Sequence, residues 1–397
     1  MKNFPATPAG SHSTVRKSKV SRWRAVVLIS LNLLMIAHIV QWRWMGTTVS
    51  PIEPAEAMYT LQRGAINAGL IFFSLALLTT LIFGRFFCGW ACHMVSLQDF
   101  CTWILGKVGL KPKPFRSRLL VWIPLIVGLY MFVWPTVVRY FAKPKAEPLI
   151  PQFTNQLITT EFFFSFPPVA VAIPFLFICG FMTVYFLGSY GFCTYACPYG
   201  GFYSLIDKLS PGKIRVTDAC DQCGHCTASC TSNVRVHTEV KRFGMVVDSN
   251  CHRGMDCISV CPQDALYFGF GKPAIAGPAS PALRKAYSLT WSEEIVGAGV
   301  FIASYFAVWD VYQLVPMLMA LGIALVTTYL VVRTLRLLRV NELSFYRYNL
   351  RSSGRITVAG WCFLGFAVLW TGLNVHSGWV RYNERVGAIA FESITIP

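Results

Sequence analysis

From residue 25 onward the chain alternates long apolar runs with shorter polar connectors. AVVLISLNLLMIAHIV (25–40) comes first, and further apolar runs lie near 65–87, 119–140, 167–190, 293–312, 314–335 and 355–374. About 20 consecutive apolar residues, wound as a helix, cross the hydrocarbon of a bilayer. The pattern therefore predicts seven membrane helices, although the two runs around Asp310 could form one bent or re-entrant segment. The first run has the look of a signal-peptide core, but QWRWMG follows it in place of a small-residue cleavage site. It is read as an uncleaved anchor.

The helical pattern breaks at 213–275, the one sizeable polar insertion. The expected organisation is mostly α. A basic segment (1–24) precedes a four-helix membrane domain (25–212), a small α+β insertion (213–275), further membrane helices (276–374) and a tail (375–397) with no packing pattern. KPAIAGPASPALRKAYS, after Gly271, reads as a Pro/Ala linker back to the membrane. The first half also repeats itself: FGRFFCGWACHMVSLQDF (83–100) parallels GSYGFCTYACPYGGFYSL (188–205). In each, an apolar run ends in Cys-x-aromatic-Ala-Cys and an amphipathic segment follows.

Composition agrees with a bilayer protein. The 397 residues are 54% hydrophobic and 13% charged, about half the charge of an average soluble domain. The net charge of +17 is spread over segments that bracket the apolar runs: 11–24, 107–118, 208–215 and 333–355. A nucleic-acid-binding stripe would be continuous, and no nucleic-acid partner is expected. Basic connectors stay in the cytoplasm. The pattern thus predicts a multi-pass protein of a prokaryotic inner membrane. Its N-terminus and the insertion at 213–275 would be cytoplasmic, and its C-terminus outside.

Fourteen cysteines would suggest disulfides in a secreted chain. Eleven of them stand in tight CxxC, CxxxC or Cx₅C groupings, which favour metals and a reducing compartment. DACDQCGHCTASCT supplies Cys220, Cys223, Cys226 and Cys230 at the C-x₂-C-x₂-C-x₃-C spacing of bacterial ferredoxins. The fourth cysteine of such a run serves the other cluster. Cys220, Cys223, Cys226 and Cys261 are thus expected to hold one [4Fe–4S] cluster, with a Cys₄ zinc knuckle as the alternative. Cys230, Cys251 and Cys257 remain for a second. In CHRGMDCISVCP (251–262) the second ligand position is Gly254, which has no side chain. The second site could be decayed, a [3Fe–4S] cluster, or a [4Fe–4S] cluster with an unusual fourth ligand. His252, Asp256, water or a group from the membrane half are the choices for that ligand.

Cys88 and Cys92, like Cys193 and Cys197, are four apart and are expected on one helix face. The two pairs could converge on a thiolate site for an iron–sulfur cluster, copper or zinc, or remain unliganded. Cys101, Cys179 and Cys362 read as core thiols, Cys101 being the reserve ligand. His38 reads as a partnered packing histidine, and His93 as a surface one. Arg85 is expected to snorkel, and Trp42, Trp44, Trp134 and Trp309 to line the membrane interface.

The order of apolar span, CGWAC, second span, C-x₃-CP and ferredoxin run resembles the membrane polyferredoxins, which include NapH-, NosR- and CcoG-type proteins. The likeness covers about residues 65 to 270. It departs where CHM replaces the usual CP after Cys92 and where Gly254 replaces a cysteine. The resemblance implies an iron–sulfur protein carrying single electrons between a redox partner and a membrane respiratory or reductase complex, with quinone a possible contact. The runner-up is a copper-handling factor for oxidase assembly, and a redox sensor is a third reading. It implies an electron carrier more than a stand-alone enzyme.

Overall fold

The computed structural model describes residues 16–142, 153–161, 168–276 and 287–395. Most of the basic segment 1–24, both ends of the connector 144–166 and most of the linker after Gly271 lie outside them. The chain is mostly helical. Among the described residues four helices are long and apolar enough to cross a membrane: Lys19–Met45, Val169–Leu187, Met317–Arg339 and Val358–Phe391.

This corrects the expected seven. The run at 65–87 yields the shorter helix Ala68–Phe83, which stops at Gly84 in a positive-φ conformation. The run at 119–140 is divided into Ile123–Phe132 and Trp134–Ala142, with Pro135, which lacks an N–H, at the start of the second piece. Trp291–Val308 carries Glu293 and Glu294 in its first turn and is not among the four. The runs around Asp310 are two helices, divided by a turn in which Asp310, Tyr312 and Gln313 all take positive φ.

The described residues divide into two compact units. The first takes in those of Met1–Ser96, Pro124–Phe166 and Pro198–Arg284. Lys19–Met45 starts at Ser18, whose side chain accepts from the Ser21 N–H, satisfying one of the otherwise orphaned amides of a helix start. Ala68–Phe83 is capped in the same way by Asn67. It buries Phe73 and Ala76 against Phe132, Tyr203 and Cys88. Gly201 lets helix Pro198–Asp207 approach closely, since a Cβ there would stand 2.6 Å from the Leu125 amide. At one end of the insertion, strands Gly212–Val216 and Leu266–Phe270 pair antiparallel, with Ile214 opposite Phe268. Between them lie the short helices His225–Ala228, Val236–Phe243 and Asp256–Ser259. Their core unites Ile214, Val234, Val240, Val246 and Leu266 with the cysteines.

The second unit takes in the described residues of Leu97–Ile123, Pro167–Cys197 and Lys285–Pro397. Pro174 interrupts the Val169–Leu187 span, and a wide turn follows at Phe177–Met182. Helices Trp291–Val308, Met317–Arg339 and Val358–Thr395 pack together around a buried polar knot. Asn374 Oδ1 accepts from Ser304 Oγ at 2.6 Å, and Trp370 Nε1 donates to Thr327 Oγ1 at 3.0 Å. Where a separate tail was expected from 375, the helix continues to Thr395. Arg381 on it meets Asp310 at 3.0 Å. Cys101 and Cys179 are core thiols as expected, but Cys362 is exposed on its helix.

Candidate iron–sulfur site

The two cysteine runs of the insertion fold into matching loops. Gln222 and Gly224 in the first take positive φ, and so do Arg253 and Met255 at the corresponding places in the second. After each, a single helical turn begins. Ala228 N–H donates to the Gly224 carbonyl at 3.1 Å, and Ser259 N–H to that of Met255 at 3.2 Å. Cys230 N–H donates to Thr227 at 3.3 Å, and Cys261 N–H to Ile258 at 3.2 Å. Asn233 and Asp264 close the two loops with a third matching pair of positive φ values. Left-handed backbone costs a non-glycine residue about 1–2 kcal/mol. The second loop therefore holds an expensive conformation at Arg253 and Met255 although one ligand position is a glycine.

The seven thiols are buried or half-buried, and all but Cys223 join one core. Burial pushes the Cys226 thiol up to about 11, and Cys223 and Cys220 push it the same way. Cys223 is likewise raised by burial, with Asp221 and then Cys261 adding to it. Burial pushes Cys230 up to about 12, with Cys251 its nearest thiol influence. Cys257 is raised well above the ordinary thiol by burial, then by Cys230 and Cys251, with Cys226 after them. These influences fall off with distance. Cys257 feels Cys226 of the first run as well as Cys230 and Cys251, so the two runs meet in one core. Burial raises Cys223, Cys226, Cys230 and Cys257, so clusters binding these four as thiolates would release protons. Gln222 Nε2 donates to Cys220 Sγ at 3.2 Å, and Ala265 N–H to Cys261 Sγ at 3.3 Å, contacts that tune a cluster's potential. No three His, Cys, Asp or Glu side chains among the described residues converge on a single metal ion. An iron–sulfur cage spreads its thiolates more widely than zinc does.

Gly254 is not bordered by open space. A Cβ on it would fall on Nη1 of Arg24, from the N-terminal helix. That guanidinium is buried and pairs with Asp256 Oδ2 at 2.9 Å. Asp256 Oδ1 accepts from Ser18 Oγ at 2.8 Å. His252 is buried with Nδ1 at 3.3 Å from Ser232 Oγ. Burial first, and then Arg85, hold its ring well below the usual histidine range.

The same loop rests on the turn that carries the first membrane pair. Gly89 has no Cβ where the His252 carbonyl sits, and Trp90 Nε1 donates to the Arg253 carbonyl at 3.0 Å. Arg85, expected to snorkel, is buried and donates from Nη1 to the Ser249 carbonyl at 3.1 Å; it also hydrogen-bonds the Cys88 thiol. Asp207, fully buried, takes Lys213 Nζ and Arg253 Nη2 at 2.7 Å each. This fixes the strand and the loop to helix Pro198–Asp207.

The CxxxC pairs do not each share one helix face. Cys88 lies in Phe86–Ala91, whereas Cys92 is extended at φ −97°, ψ 124°. Cys193 lies in Gly191–Tyr195, and Cys197 follows the break at Ala196, where Pro198 disfavours helical backbone at its predecessor. Each pair thus straddles a helix end. Cys88 and Cys92 belong to the first compact unit and Cys193 and Cys197 to the second. His38 is partnered, its Nε2 2.7 Å from Thr48 Oγ1. Cys101, the reserve ligand, packs with Leu105 and Val184. Neither Arg24 nor Arg85 was singled out as part of the iron–sulfur site, since their partners lie more than a hundred residues away along the chain.

A family model described as "4Fe-4S binding domain" matches residues 67–111 and 169–217. The match falls on the two CxxxC pairs and ends just before Cys220. Among similar proteins, "Putative electron transport protein YccM" of Escherichia coli is 24% identical over 64% of this chain and 70% of its own. "Methylamine utilization ferredoxin-type protein MauN" of Methylorubrum extorquens is 23% identical over 54% and 72%. "Ferredoxin-type protein NapH" of Escherichia coli is 22% identical over 55% and 75%. No solved structure matches. The chain is distantly homologous to these ferredoxin-type and electron-transport proteins, and two segments of it match the 4Fe–4S binding domain.

Proposed function

We propose that this homologue of NapH, MauN and YccM is a membrane-bound electron-transfer protein. It passes single electrons between a redox partner and a membrane respiratory or reductase system. The carrying observation is that the insertion folds its two cysteine runs into loops of matching backbone around one core. Clusters held there would supply one-electron chemistry. Cys220, Cys223, Cys226 and Cys261 hold a [4Fe–4S] cluster, and Cys230, Cys251 and Cys257 hold the second. The 4Fe–4S family match covers Cys88, Cys92, Cys193 and Cys197, so iron–sulfur is proposed there in preference to copper. The contact of Trp90 and Arg85 with the loop at 249–253 gives the first pair a short route to the insertion. Basic connectors support a cytoplasmic face for the insertion.

The test is metal analysis with EPR of protein purified without oxygen. Iron and sulfide in step, with a signal that appears on reduction, are expected. Copper in stoichiometric amount and no iron-dependent signal would overturn the reading.

A further inference from the structure

The glycine in the second cysteine run and the arginine in the first membrane helix explain each other. The second loop keeps the backbone of the complete one, positive φ for positive φ, so its ligand cradle is retained. Only the side chain at the second position is gone, and Arg24 Nη1 occupies the place where a Cβ would begin. Three contacts hold the helix start there. Ser18 Oγ donates to Asp256 Oδ1 at 2.8 Å, Lys19 N–H to Ser259 Oγ at 2.9 Å, and Arg24 Nη1 to Asp256 Oδ2 at 2.9 Å. Asp256 precedes Cys257 in the helical turn Asp256–Ser259, so the Arg24–Asp256 pair borders the second cysteine run. Both carboxylate oxygens of Asp256 are engaged by the start of the first helix, Oδ1 by Ser18 and Oδ2 by Arg24. A guanidinium is a permanent cation without a lone pair to offer a metal. It can fill a ligand position and repel a ferrous ion, but it cannot bind one.

We propose that Arg24, reaching in from the N-terminal helix, stops the open corner of the second site and makes it a closed three-thiolate site for a [3Fe–4S] cluster. This rests on the iron–sulfur reading above and deepens it. Arg24 is a positioning residue that selects nuclearity. Its influence is on one balanced step: a [3Fe–4S] cluster reduced by one electron to the neutral state takes up Fe²⁺ to become [4Fe–4S]²⁺. With Arg24 in place that uptake is blocked.

The full chain, solubilised in detergent without oxygen, is incubated with dithionite and Fe²⁺, freed of excess iron, mildly reoxidised and read by EPR. The native protein is expected to show an oxidised [3Fe–4S] signal before and after the treatment. Arg24→Ala is expected to lose it as the fourth iron enters. Arg24→Ala combined with Gly254→Cys should convert it to a second [4Fe–4S] signal. The proposal is overturned if native protein takes up iron as readily as Arg24→Ala. It is overturned equally if native protein carries two [4Fe–4S] clusters in the insertion. Should Arg24→Ala fail to accumulate, Arg24→Gln, which removes the charge and keeps hydrogen-bond donors beside Asp256, decides in the same assay. A native protein with no iron–sulfur signal at all would instead remove the broader reading.

Discussion

Two residues in the insertion separate the ways its cysteines could be shared. If ligation is crossed, Cys261→Ser removes the complete cluster and spares the three-thiol one, while Cys230→Ser does the reverse. EPR of the two variants decides, and loss of the second cluster in Cys261→Ser would contradict the assignment. Asp207 is the other residue on which much depends, because Lys213 and Arg253 are fully buried against it. Removing one partner of a buried ion pair costs about 3–5 kcal/mol. Asp207→Asn is therefore expected to lower the thermal midpoint of the solubilised protein sharply, and an unchanged midpoint would show the pair to be dispensable. Cysteine spacing was legible because ferredoxin ligands lie within a few residues of one another. The Arg24–Gly254 and Arg85–Ser249 contacts were not, since nothing in local spacing joins residues so far apart in the chain.

At the scale of elements, the apolar pattern located helices better than it set their ends. Gly84 and Pro135 cut two expected spans short, and Glu293 and Glu294 mark the start of another. The helical-face reading of the CxxxC pairs failed for a local reason: Cys92 and Cys197 lie just beyond helix ends. The continuation of Val358–Thr395 past 375 was illegible because its anchors, Arg381 to Asp310 and Asn374 to Ser304, are single polar contacts in an apolar setting. Polar contacts between membrane helices contribute about 0.6–2 kcal/mol. Asn374→Leu is expected to lower stability of the C-terminal helices by that amount in a denaturant titration. A variant as stable as the native protein would show the knot to be incidental.

For the whole molecule, orientation and chemistry have to agree. Reporter fusions ending after residue 45 and after residue 275 are expected to report the outside and the cytoplasm respectively, as the basic connectors dictate. A fusion after 275 exported to the outside would place the thiols in an oxidising compartment and contradict the electron-transfer reading. The second cysteine run, incomplete in sequence, has a complete cradle in the fold, closed by a residue from the first helix. The most direct measurement is a redox titration by EPR of the intact protein, purified without oxygen, with iron and sulfide counted in the same sample. The account predicts a [4Fe–4S] signal that grows on reduction and a separate [3Fe–4S] signal that disappears on reduction. Protein that folds into the membrane, keeps its thiols reduced and yields no iron-dependent signal at any potential would contradict it.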